Sequence, residues 1–223
     1  MDLEQSRFNM VEQQIRTWEV LDQEVLKLLF EMRREEFVPA AYRSLAFVDM
    51  EIPLGHGEVM LAPKLEARIL QELQIKKTDR ILEVGGGSGY LTALLARKGE
   101  YVYSVEIVPE LKAMAEKNLE AHGITNVLVE NGDAANGWPA YAPYDVIVLT
   151  GSTPVLPEAF PKSLKAGGRL FAVVGDAPVM EAMLMTCVAQ EEKGTAGVYK
   201  TAGLFETCIS PLKNAKQPAR FVF

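Results

Sequence analysis

A cluster of glycines directly after a short apolar segment constrains the fold of this chain more than any other feature. Residues 80–84 are mostly apolar and end at Gly85, and three more glycines follow before Tyr90. Glycine permits a sharp backbone turn and lets a ligand approach the backbone closely. In an open α/β sheet, a loop of this kind joins the first strand to the next helix at the ligand-binding edge. The segment therefore predicts a Rossmann-like, doubly wound α/β fold with a mostly parallel sheet.

The residues that follow alternate between strand and helix patterns, as this fold requires. Apolar runs predict strands, and amphipathic stretches opened or closed by proline and glycine predict helices. The predicted strands cover 80–84, 101–107, 126–130, 144–150 and 169–174, and the predicted helices 91–96, 109–122 and 157–164. This alternation favours parallel strands joined by right-handed crossovers. Two further strands are expected near 183–189 and 204–210, with their order left open.

The first sixty residues predict a helical extension rather than part of the sheet. Val11, Ile15 and Trp18 follow helical spacing, and Asp22 is a typical N-cap for a second helix. Residues 47–62 are punctuated by proline and glycine, which predicts a long loop. Pro63 then suits the first position of another helix. We therefore expect a single domain over 1–223, made of an extension and loop (1–62), a core (63–177) and C-terminal strands (178–223).

Composition argues against several other classes of protein. The net charge of −7 and the sequence pI of about 5.1 argue against nucleic-acid binding, which favours a basic face. Two cysteines and two histidines without metal-ligand spacing predict no metal site and reduced thiols. The polar N-terminus and the lack of an apolar run near 20 residues predict no signal peptide and no membrane span. We therefore expect a cytoplasmic protein.

The spacing of the glycines discriminates between two cofactors. A dinucleotide fingerprint beginning at Gly85 would place Tyr90 where a small residue is needed. The pattern E/D-x-G-x-G-x-G instead fits Glu83, Gly85, Gly87 and Gly89, and it indicates S-adenosylmethionine. That cofactor has a cationic end and no pyrophosphate, so an acidic residue in the loop is favourable near its ammonium and sulfonium groups.

Acidic residues after the next two strands complete the predicted cofactor site. Glu106 lies twenty-one positions after Gly85, a spacing suited to accepting hydrogen bonds from ribose hydroxyls. Asp133 follows the third strand and is predicted to accept from the adenine amino group. The predicted cofactor-binding residues are Glu83, Gly85, Gly87, Ser88, Gly89, Glu106, Ile107, Gly132 and Asp133.

Together these motifs resemble the protein-L-isoaspartate O-methyltransferase family over nearly the whole chain. Residues 9–16 are similar to the opening helix of that family, and Gly137-Trp138-Pro139 matches a motif specific to it. The cofactor loop and the Gly-Gly-Arg-Leu turn are shared by many methyltransferases. The remaining similar segments are 37–39, 52–57, 82–90, 103–106, 132–133 and 164–170.

The resemblance implies methyl transfer to the side-chain carboxylate of L-isoaspartyl residues in damaged peptides or proteins. A carboxylate is already ionised near neutral pH, so the reaction needs no general base. It needs in-line placement against the methyl group and exclusion of water. The absence of a Ser-His-Asp or Cys-His set in the sequence agrees with this chemistry.

One loop departs from the family pattern, and it is the loop implied to bind the acceptor. The family reads roughly Gly-Gln-Thr-Ile-Ser-x-Pro, whereas this chain has Gly57-Glu58-Val59-Met60-Leu61-Ala62-Pro63. Two hydroxyl donors are lost and one negative charge is added, and both changes disfavour an anionic acceptor. No catalytic residue is assigned; the candidates in this substrate loop are His56, Leu61 and Ala62.

Two alternative functions stay open at this point. The altered loop would suit methyl transfer to another small or peptide acceptor. A non-catalytic S-adenosylmethionine-binding protein that works through a partner is the second. Methyltransferases that act on amino groups of DNA or glutamine are disfavoured, because 150–154 lack their Asn/Asp-Pro-Pro-Tyr motif. The sequence leaves the oligomeric state and the physiological acceptor undetermined.

Overall fold

The N-terminal segment is helical, as predicted, and contributes buried residues to the core. The computed structural model describes residues 2–190 and 197–217. Helix α1 (Leu3–Asn9) continues through a π-helical stretch (Met10–Ile15) and a 3-10 turn (Arg16–Trp18) to α2 (Gln23–Glu31). The Asp22 carboxylate caps α2, as predicted, by accepting hydrogen bonds from the backbone amides of Glu24 and Val25.

Residues 47–62 contain a short β-hairpin, so the prediction of a loop throughout was wrong. Strands β1 (Ile52–Gly55) and β2 (Glu58–Met60) pair antiparallel, and their end residues Ile52 and Met60 are buried partners. Positive φ values at the tip, including +57° at His56 between two glycines, reverse the chain tightly. Helix α3 (Pro63–Leu73) begins at its proline, as predicted.

The central sheet has the mostly parallel, doubly wound arrangement that the sequence predicts. Its strands are β3 (Arg80–Val84), β4 (Tyr101–Glu106), β5 (Val127–Asn131), β6 (Tyr144–Leu149), β7 (Leu164–Asp176), β8 (Val179–Ala189) and β9 (Val198–Glu206). Their order is β5-β4-β3-β6-β7-β8-β9. The first five in this order run parallel, and β7, β8 and β9 form an antiparallel meander, which settles the order of the last strands. The order reverses between β3 and β6, where such sheets bind ligands.

The two faces of the sheet are covered very differently. Helices α3, α4 (Tyr90–Lys98) and α5 (Pro109–Ala121) lie with the N-terminal segment on one face. The other face is covered by side chains such as Trp138 and Phe160 from connections that contain only a 3-10 turn (Pro139–Tyr141) and the short α6 (Ala159–Lys162). The helix predicted over 157–164 is therefore much shorter than expected, and Pro161 lies within it.

Two further observations concern the cysteines and the membrane. Cys187 is buried on β8 and Cys208 is exposed beyond the end of β9, and both are free thiols. No helix within 2–190 or 197–217 has the length and apolar character needed to cross a membrane. The same residues hold no cluster of three or more His, Cys, Asp or Glu side chains arranged for a metal ion.

Candidate functional site

The glycine loop lies where the C-terminal ends of β3, β4 and β6 meet. Gly85, Gly87 and Gly89 all have positive φ values, which disfavour any other residue. A Cβ at Gly85 would overlap the Thr150 hydroxyl, and one at Gly89 would lie 3.1 Å from the Cα of Ala115. A Cβ at Gly87 would lie 3.2 Å from Leu54 of the hairpin. The three glycines therefore let the loop pack tightly and leave its backbone bare.

A cleft runs between this loop, the β1–β2 hairpin and residues 209–215, which we name the C-terminal segment. The segment is held on the sheet edge by hydrogen bonds of Ser152 with Ser210 and Leu212, both 2.9 Å long. The two connected parts of the cleft share Val59, Leu61, Gly85, Gly87 and Thr150. The remaining lining residues are Glu51, Leu54, Glu58, Met60, Glu66, Gly86, Ser88, Tyr90, Leu91, Glu106, Ile107, Gly151, Ser210, Pro211, Leu212 and Lys213.

Glu106 lies at the cleft, at the end of β4, as predicted. Its Oε2 accepts a hydrogen bond from the Gly87 amide at 2.8 Å, and its Oε1 accepts one from the Val108 amide at 2.9 Å. These amides fix the carboxylate beside the loop, with Ile107 next to it along the cleft. Each carboxylate oxygen has a second lone pair, so the pair of oxygens can also accept from two ligand hydroxyls.

Glu83 lies behind the loop rather than in the cleft. It is fully buried, and its Oε2 accepts hydrogen bonds from the hydroxyls of Thr92 (2.5 Å) and Ser104 (2.7 Å). Burial raises the pKa of Glu83 to about 8, although both hydroxyls oppose the rise. The carboxyl group thus joins β3 to α4 and β4, and its contact with a cofactor ammonium stays a prediction.

Gly132 and Asp133 lie beside the cleft and do not line it. A Cβ at Gly132 would lie 2.6 Å from the ring of Trp138, which explains why a residue without a side chain occupies this position. Asp133 accepts from the Ala135 amide at 3.0 Å and from the Asn214 side chain at 2.9 Å. Asp133 therefore ties the C-terminal segment to the sheet edge, and its contact with adenine stays a prediction.

A buried ion pair forms the floor of the cleft. The fully buried Arg34 pairs with Glu66 and donates to the backbone carbonyl of Leu61 at 2.6 Å. Burial raises the pKa of Glu66 to about 7 although Arg34 opposes the rise. The Tyr90 hydroxyl is buried there without a hydrogen-bond partner among the residues that the structure describes. The pair fixes the backbone of the substrate loop at Leu61.

The structure places the three candidates of the substrate loop in different surroundings. Leu61 is almost fully buried and lines the cleft. His56 is exposed at the hairpin tip, and its carbonyl accepts a hydrogen bond from Lys213 at 3.1 Å. Ala62 lines a different cavity, together with Trp18 and Lys64. Of these three candidates, Leu61 is the one that lines the cleft beside the glycine loop.

Thr150 and Lys213 are among the cleft residues that the sequence did not reveal. Thr150 directly follows β6, and following the sheet edge one strand further would have found it. Lys213 gives no signal in the sequence, because its position depends on how the C-terminal segment docks on Ser152. Its ammonium group lies 2.8 Å from the Glu58 carboxylate, so the charge that Glu58 adds to the loop is compensated.

The cleft has the chemistry that S-adenosylmethionine requires. Bare backbone at Gly85 and Gly87 permits close approach, and the Glu106 carboxylate can accept from ribose hydroxyls. Apolar side chains such as Ile107 suit the adenine ring and the thioether chain. Carboxylates around the cleft favour a cationic ligand.

Structural comparison finds the same fold in known methyltransferases. A solved structure named protein-L-isoaspartate O-methyltransferase is 30% identical, with a TM-score of 0.73; the match covers 92% of this chain and 65% of that chain. A second, from Plasmodium falciparum, is described as a putative enzyme of this name in complex with S-adenosyl-L-homocysteine. It has a TM-score of 0.77 at 20% identity, covers 92% of this chain and 97% of that one, and supports the fold alone.

Sequence comparison identifies the family. The family model for protein-L-isoaspartate(D-aspartate) O-methyltransferase matches residues 5–207. A protein-L-isoaspartate O-methyltransferase 1 from Anaeromyxobacter sp. is 38% identical over 197 residues, which cover 88% of this chain and 91% of the relative. A protein-L-isoaspartate O-methyltransferase from Methanoculleus marisnigri is 37% identical over 206 residues, covering 92% and 90%. The chain belongs to the protein-L-isoaspartate O-methyltransferase family.

Proposed function

We propose that this protein transfers a methyl group from S-adenosylmethionine to the side-chain carboxylate of L-isoaspartyl residues in damaged peptides and proteins. One observation carries the proposal: the cleft that Glu106 and the glycine loop form for the cofactor is continuous with the family's substrate loop at Val59 and Leu61. Donor and acceptor can therefore meet in one cleft. The membership of the family supports the same reaction.

The cofactor supplies an electrophilic methyl group on a sulfonium ion. One oxygen of the acceptor carboxylate bonds to the methyl carbon while the carbon–sulfur bond breaks and leaves its electron pair on sulfur. The products are a methyl ester and S-adenosylhomocysteine, and no proton moves. The acceptor is ionised near neutral pH, so the protein contributes orientation and exclusion of water rather than a general base.

The predicted cofactor residues divide into those that touch the cofactor and those that hold the site. Gly85, Gly87, Ser88, Glu106 and Ile107 line the cleft and are assigned to direct contact. Gly89 has no side chain, so α4 can approach α5 closely: a Cβ at this position would lie 3.1 Å from the Cα of Ala115. Glu83, Gly132 and Asp133 are assigned to supporting the loop and the adenine side of the cleft.

Methyl transfer to a different acceptor is the second candidate. It is favoured by Val59 and Leu61, which line the cleft where the family pattern has hydroxyl groups. We further propose that the protein acts in the cytoplasm on polypeptide substrates and does not bind nucleic acid. The low cysteine content and the net charge of −7 support these two statements.

Labelled-methyl transfer separates these functions. The acceptor is an isoaspartyl peptide, and the control is the same peptide with a normal aspartyl residue. Calorimetry with S-adenosylhomocysteine is run in parallel. We expect binding of the cofactor product and selective labelling of the isoaspartyl peptide. Binding without labelling would favour the second candidate or a non-catalytic role, and the absence of binding would overturn the cofactor assignment.

A further inference from the structure

Lys213 provides a positive charge in the cleft, where the altered substrate loop provides none. It lines the same part of the cleft as Gly85, Gly87 and Thr150. Among the lining residues that the structure describes, it is the one lysine or arginine. Its side chain is held from two directions, by the Glu58 carboxylate at 2.8 Å and by the His56 carbonyl at 3.1 Å.

An ammonium group has three N–H donors, and two of them are engaged in this way. Within the residues that the structure describes, the third N–H donor has no partner, so it is free to bind a ligand. The Thr150 hydroxyl is not equivalent, because its proton is directed at the carbonyls of Val84 and Gly85, each 2.8 Å away. Val59 and Leu61 have no donor on their side chains.

The charges around an incoming carboxylate make a cation there important. Glu51, half-buried with its pKa raised by burial, and Glu106 line the same part of the cleft. Glu66 is compensated by Arg34, and Glu58 by Lys213. Without Lys213, the described lining would offer a carboxylate acceptor no cation, and its remaining side-chain donors would be the hydroxyls of Ser88, Tyr90, Thr150 and Ser210.

We propose that Lys213 binds the acceptor carboxylate in this protein and replaces the hydroxyl groups that the substrate loop lacks. The inference rests on the proposed function, since it concerns the acceptor of that reaction. Glu58 and the His56 carbonyl hold the ammonium group at the cleft, which gives the hairpin tip an indirect role.

The competing explanation is a purely structural one: the ion pair of Lys213 with Glu58 would act as a clamp that holds the C-terminal segment on the hairpin. Two variants separate this clamp from acceptor binding. Lys213→Met and Glu58→Gln break the same ion pair, so a clamp predicts similar losses for both. Acceptor binding predicts opposite effects, because Lys213→Met removes the charge that the acceptor needs. Glu58→Gln removes a competing carboxylate and leaves the ammonium group in place.

The experiment measures kcat and KM for an isoaspartyl peptide and, separately, the Kd for S-adenosylhomocysteine. Losing a charge-assisted hydrogen bond predicts a fall in kcat/KM of about tenfold to a hundredfold in Lys213→Met, mainly through KM, with Kd unchanged. Lys213→Arg should keep most of the activity. Glu58→Gln should raise kcat/KM, because the glutamine oxygen and the His56 carbonyl can still accept from the ammonium group while the competing charge is lost. Lys117→Met, on the exposed face of α5, is the matched control.

Equal losses in Lys213→Met and Glu58→Gln, or a weaker Kd in both, would overturn the proposal in favour of a clamp. Full activity in Lys213→Met, or a loss found instead in Ser210→Ala, would overturn it as well. If the unaltered protein binds S-adenosylhomocysteine but does not methylate the peptide, the proposed function fails first. The two failures are therefore distinguishable.

Discussion

At Gly87, the absence of a side chain keeps the cofactor cleft open. Its amide donates to Glu106, its φ is +54°, and a Cβ would approach the Leu54 side chain across the cleft at 3.2 Å. Gly87 is therefore required for two reasons: the backbone has a positive φ value, and a side chain would occupy the cleft. A substitution here has two effects, strain in the loop and obstruction of the cleft, which a suitable control can separate.

Gly123 offers that control, because it has φ +63° and, within residues 2–190 and 197–217, no atom lies within 4 Å of a Cβ built there. We expect Gly87→Val to abolish binding of S-adenosylhomocysteine, and Gly123→Val to preserve it. Both should lose stability through the left-handed backbone, which costs side chains roughly 1–2 kcal/mol. Calorimetry and urea unfolding measure the two effects. Retained binding in Gly87→Val would show that the cofactor lies elsewhere.

The buried carboxyl of Glu83 makes stability depend on pH. Its pKa is raised to about 8 in the folded state, from 4.5 when unfolded. Between these values the folded protein holds a proton that the unfolded chain has released, so the stabilisation present below pH 4.5 is lost as pH rises through 8. Glu66, with its pKa raised to about 7, acts in the same direction.

Glu83→Gln should therefore flatten the pH dependence of stability. We expect the free energy of unfolding to fall between pH 5.5 and 7.5 in the unaltered protein, and to fall less steeply in the variant. One proton accounts for at most about 1.4 kcal/mol per pH unit. Urea unfolding at several pH values measures the slope. An unchanged slope would show that Glu83 is ionised in the folded protein.

At the scale of elements, the β1–β2 hairpin decides what enters the cleft. It contributes Leu54 and Val59 to the lining, is followed directly by the lining residue Leu61, and carries Glu58, the partner of Lys213. The backbone directly after β2 is fixed from below by Arg34, which donates to the Leu61 carbonyl. The hairpin is thus anchored where the chain leaves it, and a few side chains on it and beside it line the cleft.

Restoring the family's hydroxyl groups in the substrate loop should strengthen activity toward isoaspartyl peptides. Val59→Thr with Leu61→Ser adds two donors at the cleft, and each charge-assisted hydrogen bond contributes about 1.5–3 kcal/mol. A rise in kcat/KM of about tenfold or more is expected if one such bond forms in the transition state. Retained affinity for S-adenosylhomocysteine serves as the control. No rise would indicate that Lys213 already fulfils this role or that the acceptor is different.

The sheet and its glycine loop could be predicted from sequence, because their signals are local. Residues 80–90 hold a strand, a turn and a helix start in one continuous stretch, and Glu106 lies at a fixed spacing from it. The hairpin was missed because β2 has only three residues, too few to show an alternating pattern. Lys213 and the Arg34–Glu66 pair could not be predicted, because tertiary contacts alone bring these distant residues together.

Across the whole molecule, the N-terminal extension and the cofactor core form one hydrophobic cluster. Met10, Ile15 and Leu29 of the extension pack with residues of α3 and α4. Arg34 crosses this boundary, because it pairs with Glu66 of α3 and also binds the carbonyls of Ala46 and Leu61. The extension is therefore part of the floor beneath the substrate loop.

Arg34→Met should destabilise the protein by about 3–5 kcal/mol at pH 8, because it leaves the Glu66 carboxylate buried without a counter-charge. The double variant Arg34→Met with Glu66→Leu should be more stable than the single variant, since it removes the stranded charge as well. Lys98→Met is the matched control: it breaks a pair between the same two parts of the molecule, but Glu24 is exposed there, so a loss of at most about 1 kcal/mol is expected. Urea unfolding measures all three. A double variant no more stable than Arg34→Met would show that the lost bonds to the Ala46 and Leu61 carbonyls, rather than the unpaired carboxylate, dominate the cost.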